Sequence, residues 1–160
     1  KYPQLVRGLI LANTKAGPDS AEGKQGRDDN AALARAKGVA VIAERMLPKM
    51  LTPKTIAERP SVAASVSSMM ARQPVDGVVG ALMALRDRPD STPTLAQISV
   101  PTLVITSSED NLIPPQESEL MRDGIRGAKL VVIPGAAHLS NVEQPEAFNH
   151  AVREFLKSWG

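Results

Sequence analysis

Two side chains in this sequence have the types and the spacing for acid–base chemistry. Asp110 lies in the segment Ser107-Ser-Glu-Asp-Asn-Leu-Ile-Pro-Pro115, and His138 in Pro134-Gly-Ala-Ala-His-Leu139. A buried carboxylate beside an imidazole fixes its tautomer and steadies the imidazolium, and the pair becomes a base able to activate a hydroxyl or a water. Singly, neither residue says much. A loop aspartate before asparagine and proline is ordinarily a turn residue or a helix cap, and a lone loop histidine is ordinarily structural. Position sets this pair apart: each follows a short apolar run, and the two are 28 residues apart, about one α/β repeat. Glu109 is the rival acid, since adjacent loop side chains cannot be ranked by sequence. His150 falls in the last helical segment and reads as a surface residue. Glu143 and Glu146 open that segment, where carboxylates favour the positive end of the helix dipole, and read as structural.

The elements that must position the pair follow from periodicity. Leu5–Ala12, Pro101–Thr106 and Lys129–Ile133 are short, mostly continuous apolar runs, which predicts buried strands of a parallel sheet. Residues 15–30 are polar and read as a loop leading into a helix. From about Asp29 to Met50 the apolar residues Leu33, Ala36, Ala40, Ala43 and Leu47 trace one helical face, with Pro48 and Pro53 as breaks. Further helices are expected near 53–58, 61–72 and 75–86, with Pro60 and Pro74 at their starts. Another is expected over about 115–125. The last begins near Gln144, with Phe148, Ala151, Val152, Phe155, Leu156 and Trp159 on its apolar face. Strand, helix, strand, helix predicts right-handed parallel α/β units. In such open sheets functional groups gather at the carboxyl ends of the strands, where Asp110 and His138 both fall.

Composition narrows the possibilities. The 160 residues are 42% apolar and 22% charged, which fits a globular chain with a sizeable core. No apolar run reaches the roughly 18 residues of a membrane span, and no secretory signal pattern opens the chain. There is no cysteine, so disulfides, cysteine nucleophiles and thiolate metal sites are excluded; a cytoplasmic location is compatible with this. The net charge of +2 arises from 19 basic and 17 acidic residues interspersed along the chain. Tyr2, Phe148, Phe155 and Trp159 are the only aromatics. Neither a phosphate-binding stripe nor a base-stacking surface is expected, so nucleic acid and membrane are not expected partners.

From Val100 onward a composite of motifs is present: Val-Pro-Thr-Leu-Val-Ile, Glu-Asp-Asn-Leu-Ile-Pro-Pro, Leu-Val-Val-Ile-Pro-Gly-Ala-Ala-His-Leu, Glu-Gln-Pro-Glu-Ala-Phe-Asn and a closing Phe-Leu. In this the chain resembles the C-terminal portion of an α/β-hydrolase-fold enzyme, with parallel strands, flanking helices and a helical cap. The resemblance implies that Asp110 is the acid and His138 the histidine of a catalytic triad. It also implies that residues 1–16 carry the sixth strand of the family's sheet, 17–92 a helical cap or lid, and 93–160 the C-terminal core. A looser similarity to enol-lactonases and small esterases implies a small ester or lactone substrate, with no metal or organic cofactor. Leu112 and Leu139 are the candidate substrate-pocket residues. An Ala- and Met-rich cap would favour a small apolar acyl or alkyl group.

One departure is large. The family's nucleophile sits on a Gly-x-Ser-x-Gly elbow between a strand and a helix, and the 160 residues contain no such motif. Ser65, Ser67, Ser68, Ser107 and Ser108 lack the flanking glycines, and none is assigned as nucleophile. The expectation is therefore a piece of a serine hydrolase with on the order of 100 residues elsewhere, at about 30 per α/β unit. As an isolated chain it is expected to be inactive. Its Leu5–Ala12 edge would be covered by the N-terminal half, on a second chain, or by another copy. Two alternatives stand beside this: other chemistry on the same fold, such as a cofactor-free haloperoxidase, dehalogenase or lyase, and a non-catalytic interaction module.

Overall fold

The computed structural model describes residues 2–158. The chain divides into two compact units, one running up to Ala16 and resuming at Ser91, the other Gly17–Asp90.

The first unit is built on three parallel strands, β1 (Leu9–Ala12), β2 (Thr102–Ser107) and β3 (Lys129–Ile133), in the order β1-β2-β3. The register pairs Leu9 with Thr102 and Ile105 with both Ala12 and Val131. All six residues of the central β2 are buried, because it has a strand on each side and cover on both faces. Alternation along the strand divides its apolar residues between two clusters. Val104 packs with Ala16, Leu95, Met121 and Ile125, and Leu103 and Ile105 pack with Ile133, Ala136 and Phe155. Met121 belongs to helix Pro115–Gly124 and Phe155 to helix Pro145–Lys157. Leu95 lies in a 3-10 turn, Thr92–Gln97. This turn presses so closely on Gly124 that a Cβ there would lie 2.8 Å from Leu95 Cδ1. Burial of each large aliphatic side chain contributes about 1.5–3 kcal/mol.

β3 spans the expected Lys129–Ile133, while β1 and β2 differ from the expectation at their ends and the outer strands in their burial. The first begins at Leu9, not Leu5; Pro3–Leu5 forms a 3-10 turn and Leu5 is 76% exposed. The reason lies in the partner. The ladder opens with the Leu9 N–H donating to the carbonyl of Pro101, and upstream of that point Pro101 has no N–H to continue it. The same proline moves the start of the second strand to Thr102. The outer strands are only partly buried, with β1 of intermediate exposure throughout and Val132 of β3 51% exposed. Each has a strand on one side only among the described residues.

The second unit contains five helices, α1 (Ala21–Lys37), α2 (Ala40–Met50), α3 (Pro53–Glu58), α4 (Pro60–Ala71) and α5 (Val75–Arg86), and no strand among its described residues. The helix expected from about Asp29 to Met50 is two helices. Gly38, at φ +81°, closes the first in the left-handed region that glycine enters without steric cost. The predicted face survives in part: Ala43 is buried and Leu33 and Leu47 are half-buried, but Ala36 and Ala40 are exposed. The helices' buried cluster is Ala31 and Ala34 of α1 with Ile42 of α2 and Val79 of α5, and Leu33 packs against it. The first two turns of α1 occupy what read as a polar loop. Their start is set by Ser20, whose Oγ accepts the Gly23 N–H, a cap that needs no apolar periodicity. Pro48 does not break α2 but sits in its last turn. Thr52 caps α3 by accepting from Thr55 N, Pro60 opens α4, and Pro74 precedes α5.

In the first unit, α6 is Pro115–Gly124, α7 the single turn Ser140–Glu143, and α8 Pro145–Lys157. On α8, Ala151 and Phe155 are buried and Phe148 and Val152 half-buried. Leu156, expected on the apolar face, is 48% exposed; the stripe against the sheet is narrower than the sequence pattern. Trp159 lies outside the described residues. Among those described, no helix is long and apolar enough to cross a membrane.

Candidate active site at the carboxyl ends of the strands

Beyond their last residues, β2 and β3 stay joined. Ser108 N donates to the Ile133 carbonyl and Glu109 N to that of Ala136, both at 3.0 Å, while Gly135 N donates to Ser108 Oγ at 2.9 Å. The turn needs Gly135 in the left-handed region, at φ +63°. The loops that carry Asp110 and His138 therefore leave the sheet side by side.

The side chain of Asp110 is fully buried. Its Oδ1 accepts the N–H groups of Leu112 and Ile113, each at 2.9 Å, the turn-forming habit of an Asx residue. Its Oδ2 lies 3.0 Å from His138 Nδ1. Burial pushes this carboxyl's pKa up. The hydrogen bonds from His138, the Ile113 N–H and Asn13 together outweigh burial and hold it below the ordinary aspartate value. Glu109, the rival acid, is exposed.

His138 follows two buried alanines, and its side chain keeps 22% exposure. Its loop is tied from behind: Ala137 N donates to Glu143 Oε2 at 2.6 Å, and the Leu139 carbonyl accepts from Val142 and Glu143 N–H. With Nδ1 held by an acceptor-only carboxylate, the neutral ring carries its proton on Nδ1 and leaves Nε2 as the basic nitrogen. A buried acid that orients, beside a base still open to solvent, is the division of labour that proton abstraction from a hydroxyl or water requires.

Two residues of this constellation were not read as such in the sequence. Glu143 does not open the last helix; it ends α7, is buried, and its carboxylate holds the histidine loop. Asn13 is buried just beyond β1 at φ +46°, and its carboxamide reaches Asp110. The left-handed region is where asparagine is enriched, and an asparagine closing an apolar strand was the one local signal. Glu146 lies exposed in the first turn of α8, and His150 is exposed.

Leu112 and Leu139 are half-buried. Neither lines the open cavity of about 340 Å³ between β3 and α8, whose walls include Leu103, Val131, Ile133, His150 and Phe155. Ser107 and Ser108 are engaged in accepting hydrogen bonds from Asn13 and Gly135. Ser65, Ser67 and Ser68 lie on α4 in the other unit. Among the described residues no three His, Asp or Glu side chains group as metal ligands.

Residues 3–151 match the alpha/beta hydrolase family, and the chain belongs to it. It is 33% identical over 156 residues to 3-oxoadipate enol-lactonase 2 of Acinetobacter baylyi, covering 98% of this chain and 57% of that protein. Among solved structures it is similar to a thermophilic esterase from Thermogutta terrifontis, with a TM-score of 0.94 and 40% identity. That match covers 99% of this chain and 58% of the esterase. An enol-lactonase from Burkholderia xenovorans superposes with a TM-score of 0.87 at 30% identity, covering 95% and 56% of the two chains. This chain thus spans a little over half the length of these relatives.

Proposed function

We propose that Asp110 and His138 are the acid and the base of a carboxylic ester or lactone hydrolase whose serine nucleophile lies outside these 160 residues. The observation that carries this is the 3.0 Å contact between His138 Nδ1 and a buried carboxylate whose other oxygen is pinned by two backbone N–H groups. The named activities of the enol-lactonase and esterase relatives support the substrate class.

In the proposed cycle His138 Nε2 takes the serine proton as the oxygen attacks the ester carbonyl. Asp110 keeps the ring in the productive tautomer and stabilises the imidazolium. The imidazolium then returns the proton to the leaving alkoxide, and water, deprotonated by the same nitrogen, releases the acyl group. Leu112 and Leu139, on the loops that carry Asp110 and His138, would contact a small apolar substrate. The free side of β1, bonded on its other side to β2, is where the nucleophile-bearing segment or a second chain would pair.

On its own the chain should not turn over esters, because loss of the nucleophile leaves only residual effects. The test is an ester and lactone assay on the purified chain, intact mass confirmed, beside a polypeptide that adds the upstream coding region with its elbow serine. Turnover is expected only in the second, and His138→Ala should abolish it. Enzyme-like rates from the 160 residues alone, or retained activity in His138→Ala, would overturn the reading. Light scattering showing a clean 17.0 kDa monomer would overturn the proposed edge pairing in the isolated chain.

A further inference from the structure

We propose that Asn13 is a positioning residue of this site, holding the Asp110 carboxylate in register with His138; this rests on the reading of the pair as acid and base. Three observations converge on the one side chain. Asn13 Nδ2 donates to Asp110 Oδ2 at 3.0 Å and to Ser107 Oγ at 2.8 Å. Ser140 Oγ donates to Asn13 Oδ1 at 2.7 Å. The backbone extends the β1–β2 ladder by one rung, Asn13 N to the Ile105 carbonyl at 2.9 Å, and then turns into the left-handed region.

The orientation of the carboxamide follows from its partners. A carboxylate only accepts, so the NH₂ end must face Asp110. Both of its hydrogens are then used, and the oxygen is taken by a hydroxyl. Asn13, Ser107 and Ser140 are all buried, so a misplaced amide would leave buried polar atoms unpaired. The oxygen that Asn13 contacts is the same Oδ2 that faces His138 Nδ1. Through one side chain the end of β1, the acid loop and the turn after the histidine are tied together across 94 to 127 residues of sequence.

Position 13 makes two demands, a left-handed backbone and a donor aimed at a carboxylate. Asparagine meets both. Glycine meets the first alone. Aspartate keeps the shape but sets an acceptor against an acceptor. The groups facing Asp110 are Asn13 from β1, His138 from the loop after β3, and the Leu112 and Ile113 N–H of its own loop. Glu109 is exposed, and Glu143 is bonded to Ala137 N.

The experiment uses the polypeptide that also carries the upstream coding region and reads titration rather than turnover, so its outcome is independent of the hydrolase assay. The titration midpoint of the Asp110 carboxyl carbon is followed by NMR, together with the ring-nitrogen shifts that report the tautomer of neutral His138. In the unaltered chain the Nδ1–H tautomer should dominate. Asn13→Gly should raise the Asp110 midpoint by about half a unit or more and mix the tautomers. Asn13→Asp should raise the midpoint further, through like-charge repulsion. Ser140→Ala, which only frees the amide to rotate, should move both readouts the same way but less. A folded Asn13→Gly chain with midpoint and tautomer unchanged would reduce Asn13 to a turn residue and overturn the proposal. Should that variant not fold, unchanged readouts in Ser140→Ala would overturn it equally.

Discussion

The two units bury polar side chains for different purposes. In the helical unit these are Asp19, Thr52 and Thr55, and they make local bonds: Thr52 to Thr55, three residues on, and Asp19 to Arg27, eight on. Bonds of this kind finish helix ends, and any surface helix can supply them. In the α/β unit Asn13, Ser107, Asp110, Ser140 and Glu143 are buried at one end of the sheet. Asn13 there reaches Ser107 and Asp110 across 94 and 97 residues, and Ser140 reaches Asn13 across 127. A long-range buried network must be fully satisfied to be tolerated, and it fixes side chains that no local rule would fix. Thr106 and Ser118, buried with unpartnered hydroxyls, show that burial of a polar atom alone does not mark the site; connection does.

The sharpest break in this comparison comes from Asp110→Asn. In a polypeptide that also carries the nucleophile, kcat should fall about 10⁴-fold, because an amide can donate to Nδ1 and so favour the wrong histidine tautomer. Steady-state kinetics with a chromogenic ester checks this; a loss below tenfold would remove Asp110 from the proposed role. Next in size is Ile105→Ala, at the fully buried centre of β2. It should cost about 2–5 kcal/mol in chemical denaturation while the helical unit's own hydrogen-exchange protection changes less.

Legibility followed the same division. Asp110 and His138 could be found because each follows an apolar run by a few residues, and the structure does bring them to 3.0 Å. The helix opened by Pro60 was also readable, since proline at a first turn is a local signal. Asn13 was not, because its meaning depends on the register Ile10 to Leu103 and on a serine far along the chain. Glu143 was misread because a carboxylate beside a helix start satisfies a local rule, whereas its true partner is the Ala137 N–H behind it. The early turns of α1, Glu22 to Asn30, are polar enough to pass for a loop; a hydroxyl cap at Ser20 starts them without any apolar face.

Thr52→Ala sharpens the contrast from the helical side. It removes a buried cap of α3 and should cost about 1 kcal/mol in a denaturant melt. The Asp110 titration and the His138 tautomer should stay where they are. A shift in either would mean that the local bonds of this unit reach the network, and the division drawn above would fail.

The smallest effect expected is in acid. The folded-state pKa of Asp110 lies below its unfolded value, near 3.9. The carboxylate therefore contributes stability that is fully present above the unfolded pKa and is lost as pH falls through the folded one. The window opens at about pH 4 and extends downward. Glu22, also lowered, by its backbone bond and Ser20, is exposed on α1 and solvent-screened, so it adds little. Amide exchange followed from pH 5 to 3 should show protection falling first at the carboxyl ends of β2 and β3, before α1 or α5. In Asp110→Asn that local acid sensitivity should disappear, because the group that titrates is gone. Equal losses in both units would mean that the acid response belongs to the chain's carboxylates in general, not to the one held by Asn13 and His138.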